Sequence, residues 1–113
     1  MHELSLAQSI FEVTREATRA EGSARVTLVV LELGALGHVE PSALELALEA
    51  VFEGTVAEGA RVQMRTVPGR GLCVPCGLQF EVSQRGEPCP HCGGYEWVTV
   101  AGEDLRLVEL EVE

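Results

Sequence analysis

Cys73-Val74-Pro75-Cys76 and Cys89-Pro90-His91-Cys92 together hold all four cysteines of the chain. A CxxC pair places two sulfurs on one tight turn, and two such turns close a tetrahedral thiolate site that suits zinc, with Zn–S distances of about 2.3 Å. The competing reading is a pair of disulfides, which the compartment argued below disfavours. A thioredoxin-type dithiol needs its CxxC beside a βαβ unit, and neither pair has that setting. The twelve residues from Gly77 to Pro88 are enough for a short hairpin.

Outward from the cysteines, Leu78 to Val82 and Glu96 to Val100 each read as a short strand, and Phe80, Tyr95 and Trp97 are expected to pack beside the metal. Pro68-Gly69-Arg70-Gly71 reads as a hinge into this module, and Ala101-Gly102 leads out of it. A module of roughly thirty residues has too little core to fold alone, so a bound metal would contribute folding free energy directly.

On the N-terminal side, Leu4, Ala7, Ile10, Phe11, Thr14 and Ala17 recur at helical spacing, and Gly22 marks a stop. The helix start has two readings, a capping box from Ser5 to Gln8 or Glu3 near the positive end of the dipole. Val26-Thr27-Leu28-Val29-Val30 reads as a central strand. Pro41 opens a second helix with a stripe of Leu44, Ala47, Leu48, Val51 and Phe52, capped by Gly54. Its other face carries Glu40, Glu45, Glu49 and Glu53, read as a solvated acidic face. Ala60 to Val67 and Leu105 to Val112 alternate with a period of two and read as strands, the last at an edge kept soluble by its carboxylates. The expected fold is α+β: a three-stranded sheet with two helices, plus a small β-rich, zinc-ribbon-like module inserted before the last strand. Residues 1–68 and 103–113 are then one discontinuous domain and 69–102 the metal-binding one.

At 113 residues and 46% hydrophobic, the chain can bury a real core. No run approaches a membrane span, and Met1-His2-Glu3-Leu4-Ser5 lacks the basic region of a signal peptide, so the expected location is cytoplasmic. Eighteen acidic residues stand against eight basic ones, all arginine. A net charge of −10 argues against nucleic acid or an anionic membrane as partner, because phosphate affinity rests on cationic contacts. A Cys₄ site leaves no open coordination position for a hydrolytic zinc enzyme, so no enzymatic activity is expected.

The chain tip adds a second metal candidate. The α-amine of Met1, the amide nitrogen of His2 and its imidazole lie at chelating separation, and a planar set of nitrogens suits Ni(II) or Cu(II). Taken alone, His2 reads first as a solvated terminal residue, and the chelate is the weaker reading.

Met1-His2-Glu3-Leu4-Ser5, Val29-Val30-Leu31-Glu32-Leu33-Gly34, Val39-Glu40-Pro41, Glu58-Gly59-Ala60, Cys89-Pro90-His91-Cys92-Gly93 and Leu110-Glu111-Val112-Glu113, with the first CxxC pair, resemble the HypA/HybF family of nickel-hydrogenase maturation factors over essentially the whole chain. The resemblance implies a nickel metallochaperone. His2 would be the nickel ligand, Met1 and Glu3 would contribute main-chain nitrogen, and the Glu3 carboxylate is a further candidate. Cys73, Cys76, Cys89 and Cys92 would hold a structural zinc. It also implies delivery of nickel, with an accessory GTPase, to the hydrogenase large subunit, by a protein that is a monomer or weak homodimer. His38 stands where the family pattern often has glycine, and both His38 and His91 read as solvated. The rival reading is a zinc-ribbon interaction adaptor without nickel transfer.

Overall fold

A computed structural model describes residues 2–22 and 25–113. Its elements run α1 (His2–Ala20), β1 (Val26–Gly34), α2 (Pro41–Phe52), β2 (Arg61–Val67), β3 (Gly69–Cys73), β4 (Gln79–Val82), β5 (Trp97–Ala101) and β6 (Leu105–Val112). The strands form two three-stranded sheets, β2-β1-β6 and β4-β3-β5. This is the expected α+β architecture, with the cysteine module between β2 and β6 in sequence. The chain divides into two compact units: Met1–Leu31, Val39–Met64 and Leu107–Glu113 in one, Glu32–His38 and Arg65–Arg106 in the other.

In the first unit α1 buries Ala7, Ile10, Thr14 and Thr18. The two threonine hydroxyls escape the cost of burial by donating back into their own helix, to Ile10 O and Thr14 O at 2.8 Å each. Leu4, expected on the buried stripe, is 43% exposed. The helix begins at His2, so Ser5 lies inside it and caps nothing, whereas acidic Glu3 falls in the first turn where the dipole favours it. α2 buries Leu44, Leu48 and Phe52, and the Phe52 ring meets Phe11 of α1 at 6.2 Å. Central β1 is buried at Val26, Leu28, Val29, Val30, Leu31 and Leu33, which accounts for its near-continuous apolar run, interrupted at the half-buried Thr27 and Glu32.

The second unit corrects the hinge. Gly69–Cys73 is the middle strand of the second sheet, paired antiparallel with β4 (Gly71↔Phe80) and β5 (Gly71↔Thr99). Glycine is a weak strand former, which is why the segment reads as a hinge. Here its lack of a side chain is what the packing requires. A Cβ on Gly71 would lie 2.8 Å from the Trp97 ring and 2.9 Å from Phe80, and one on Gly69 would lie 2.3 Å from Leu36 Cδ1. Phe80 and Trp97 pack edge to face at 5.5 Å, while Tyr95, expected beside them, stays 68% exposed.

Candidate metal centre

Each CxxC pair sits on a turn closed by its own backbone. Gly77 N–H donates to Cys73 O at 2.8 Å, and Gly93 N–H donates to Cys89 O at 2.7 Å. Both glycines adopt left-handed φ, 71° and 74°, which a side chain would oppose. Cys73 N–H bonds Leu78 O, so the first turn joins β3 to β4. Cys89 N–H bonds Gly94 O, and Val74 N–H bonds Glu96 O. These bonds set four free thiols around one point.

Their sulfurs all lie within 4.8 Å of one another, with Cys73 Sγ 3.6 Å from Cys92 Sγ and Cys76 Sγ 3.8 Å from Cys89 Sγ. A regular tetrahedron of radius 2.3 Å has edges of about 3.8 Å, so the cluster has the size of a thiolate zinc site. The donor set is all sulfur, and among the described residues no other cluster of three or more such ligand side chains comes together. Soft thiolates in a closed tetrahedron fit zinc and leave no position for a reacting water.

The cluster is lopsided: Cys73 and Cys89 are buried, Cys76 and Cys92 exposed. The surroundings shift the two buried thiols in opposite directions. The N–H of Cys76 favours the Cys73 thiolate, but burial and the three neighbouring sulfurs outweigh it and push Cys73 up to about 12. Burial opposes ionisation of Cys89 as well. There the N–H groups of Cys92 and His91, with hydrogen bonds from the Cys73 and Cys76 thiols, win and pull it down to about 7.

At the other candidate, His2 is exposed in the first turn of α1, and Met1 lies outside the described residues. The first four N–H groups of a helix have no intrahelical acceptor, so amide nitrogens stay available beside the imidazole. The Glu3 carboxylate accepts from its own N–H and, at 3.5 Å, from Glu40 N–H, and these bonds hold it below the usual carboxylate range. Glu40 is not part of the acidic face of α2. It is the N-cap, its carboxylate accepting from Ser42 N–H at 3.0 Å. The tips of α1 and α2 therefore stand together, with His2, Glu3 and Glu40 around them.

His38 and His91 are both exposed. Sequence reasoning passes over Leu36 and Arg85, which the structure packs against the cysteine unit. Neither follows a ligand motif, and the available signal was an apolar residue inside a Gly34–Gly37 turn.

The family model described as hydrogenase/urease nickel incorporation, metallochaperone, hypA matches residues 1–112. A hydrogenase maturation factor HypA from Geobacter sulfurreducens is 49% identical over 113 residues, and HypA 2 from Bradyrhizobium diazoefficiens is 43% identical, each alignment covering 100% of both chains. The solution structure of the nickel metallochaperone HypA from Helicobacter pylori matches with a TM-score of 0.68 at 19% identity, over 97% of this chain and 96% of that one. A second HypA solution structure reaches 0.73 at 22% identity, over 100% and 97%. These two likenesses bear on the fold alone.

Proposed function

Because this chain belongs to the HypA family of hydrogenase/urease nickel-incorporation metallochaperones, we propose that it carries Ni(II) at its N-terminus and delivers it, with an accessory GTPase, to the large subunit of a [NiFe]-hydrogenase in the cytoplasm. A member of this family is a metallochaperone and not an enzyme. In this reading His2 is the nickel ligand, joined by the amine of Met1, main-chain nitrogen and the Glu3 carboxylate. Cys73, Cys76, Cys89 and Cys92 hold a structural zinc. The nickel-binding domain comprises residues 1–68 and 103–113 and the zinc-binding domain 69–102.

The observation that carries the reading is the exposed His2 in a first helical turn, next to Glu3, whose carboxylate accepts from the backbone N–H of Glu40. A helix N-terminus carries roughly +0.5 of a charge and by itself repels a cation. A metal that displaces amide protons replaces that field with anionic nitrogen, and nearby carboxylates add to the reversal. The bond from Glu40 N–H to Glu3 is long, so the carboxylate can leave it for a metal at little cost.

The test is a nickel titration by calorimetry of the untagged, zinc-loaded protein beside a form extended by a few residues before Met1 and beside His2→Ala. About one nickel per chain is expected in the untagged form only, with zinc retained in all three. Equal nickel binding by all three forms overturns the terminal site.

A further inference from the structure

We propose that Leu36 is the inner lid of the cysteine centre and that Arg85 is the residue positioning it, so that the two together set how slowly the metal leaves. The inference rests on the zinc reading given above.

Leu36 stands far from the cysteines in sequence, yet it is 1% exposed and belongs to one buried cluster with Cys73, Phe80, Val82 and Cys89, against which Trp97 packs. Its backbone is held on three sides. Ala35 N–H donates to Val67 O at 2.8 Å and Leu36 N–H to Gly102 O at 2.9 Å. Leu36 O accepts both Nε and Nη2 of Arg85, at 3.2 and 2.9 Å. Arg85 also pairs with Glu103 and reaches Thr99 Oγ1 at 3.5 Å. The space for the Leu36 side chain exists because position 69 is glycine.

The consequence concerns metal release. Thiolates leave zinc when protons or a competing ligand reach the sulfur. Cys76 and Cys92 are open to both, but Cys73 and Cys89 lie in the cluster that Leu36 completes. A chelator can start at the exposed pair, and release finishes only when the buried pair is uncovered. Leu36 and Arg85 act on that last step.

The magnitudes separate the partners of Arg85. Its ion pair with Glu103 is about half exposed on both sides, 45% and 51%, and such pairs contribute little. The forked donation to Leu36 O is charge-assisted and orients the lid directly. Losing Arg85 therefore costs more than losing Glu103.

The experiment measures zinc transfer from the fully loaded full-length protein to an excess of a chromophoric chelator, after the zinc content of every variant has been determined. Leu36→Ala and Arg85→Gln should each release zinc at least about tenfold faster, Arg85→Lys should fall between, and Glu103→Gln should stay within about threefold. Arg70→Gln is the control, because that side chain on β3 bonds Gln79, at 3.4 Å, and no other side chain among the described residues, and its release should be unchanged. Hydrogen exchange at the Leu36 amide should rise in Arg85→Gln with zinc still bound, while Val29 keeps its protection, an outcome that general loosening of the protein does not produce. A wild-type protein without about one zinc per chain refutes the zinc reading and not the lid. A loaded Arg85→Gln with wild-type release and wild-type Leu36 protection overturns the lid. If Arg85→Gln cannot be isolated with zinc, the same comparison on Arg85→Lys decides.

Discussion

Gly34→Ala tests whether the cysteine unit is built on close backbone approach. A Cβ at position 34 would lie 2.1 Å from Gly102 O, 2.3 Å from Gly102 C and 2.8 Å from Glu103 N. All three are backbone atoms, so no side chain can swing aside. Ordinary contact begins at 3.4 Å, and the two segments must separate by 3.4 − 2.1 = 1.3 Å. That displacement stretches Gly34 N–H to Asp104 O and Leu36 N–H to Gly102 O, both 2.9 Å, beyond bonding distance. Overpacking costs about 1–3 kcal/mol, and the two bonds add about 0.5–1.5 kcal/mol each, so the loss is about 4 kcal/mol. Against a total stability of about 5–15 kcal/mol, this lowers the melting temperature by about 15 °C. Gly22→Ala isolates the other cost of a methyl group. Gly22 has a φ of 69° and nothing within 4 Å of a Cβ, so only backbone strain of about 1–2 kcal/mol applies, or about 5 °C. Thermal melting of the zinc-loaded proteins by circular dichroism compares them. A Gly34→Ala protein melting within about 3 °C of wild type, or less affected than Gly22→Ala, refutes the reasoning.

Two further outcomes follow from the geometry. Zinc removal by a chelator under reducing conditions should shift the emission of the single Trp97 to the red, because its Nε1–H bond to Glu87 O at 2.7 Å and its packing on Phe80 belong to the cysteine unit. The helical dichroism should persist, since α1 and α2 both lie in the other unit, and loss of that signal in step with the fluorescence would count against the division. The Glu3 carboxyl has a folded-state pKa below its ordinary 4.5, so its contribution to stability is present above that value and is lost as pH falls through the depressed one. Glu3→Gln should flatten the acid limb of the stability profile in that window and leave stability near pH 7 to 9 without pH dependence from this group. An unchanged acid limb would remove Glu3 from the account.

Much of the fold was legible because its signals are local. The period-two alternation of Arg61–Val67, the apolar run of Val26–Gly34 and Pro41 at the first turn of α2 each announce one element by the residues within it. The cysteine cluster was legible for the same reason, since a CxxC turn is short and carries its own ligands. What sequence missed depends on contacts between distant segments. Gly69 and Gly71 read as a hinge, and only Leu36, Phe80 and Trp97 explain why a strand carries glycine there. Leu36 and Arg85 obey no spacing rule relative to each other, so their pairing had no sequence signature. Helical periodicity alone places Glu40 on the exposed face, and the proline after it is the cue that it stands before the helix instead.

The two metal candidates differ most in how many parts of the chain must move to empty them. The cysteine ligands come from two turns joined through β4 and β5, and half of them lie in a buried cluster with Leu36, Phe80 and Val82. Removing all four sulfurs from an ion there opens packed side chains as well as bonds, so the barrier includes the cost of disturbing a core. The described terminal donors, His2 and Glu3, are successive residues of the first turn of α1, and neither is buried. A carrier needs that asymmetry. An ion held by the four thiolates leaves only once the buried pair is uncovered, whereas on the proposed reading an ion at the chain tip would leave on the timescale of ligand exchange. On the proposed reading, delivery from His2 with retention by the cysteines would need only this difference in accessibility, and neither site would have to be the tighter one at equilibrium.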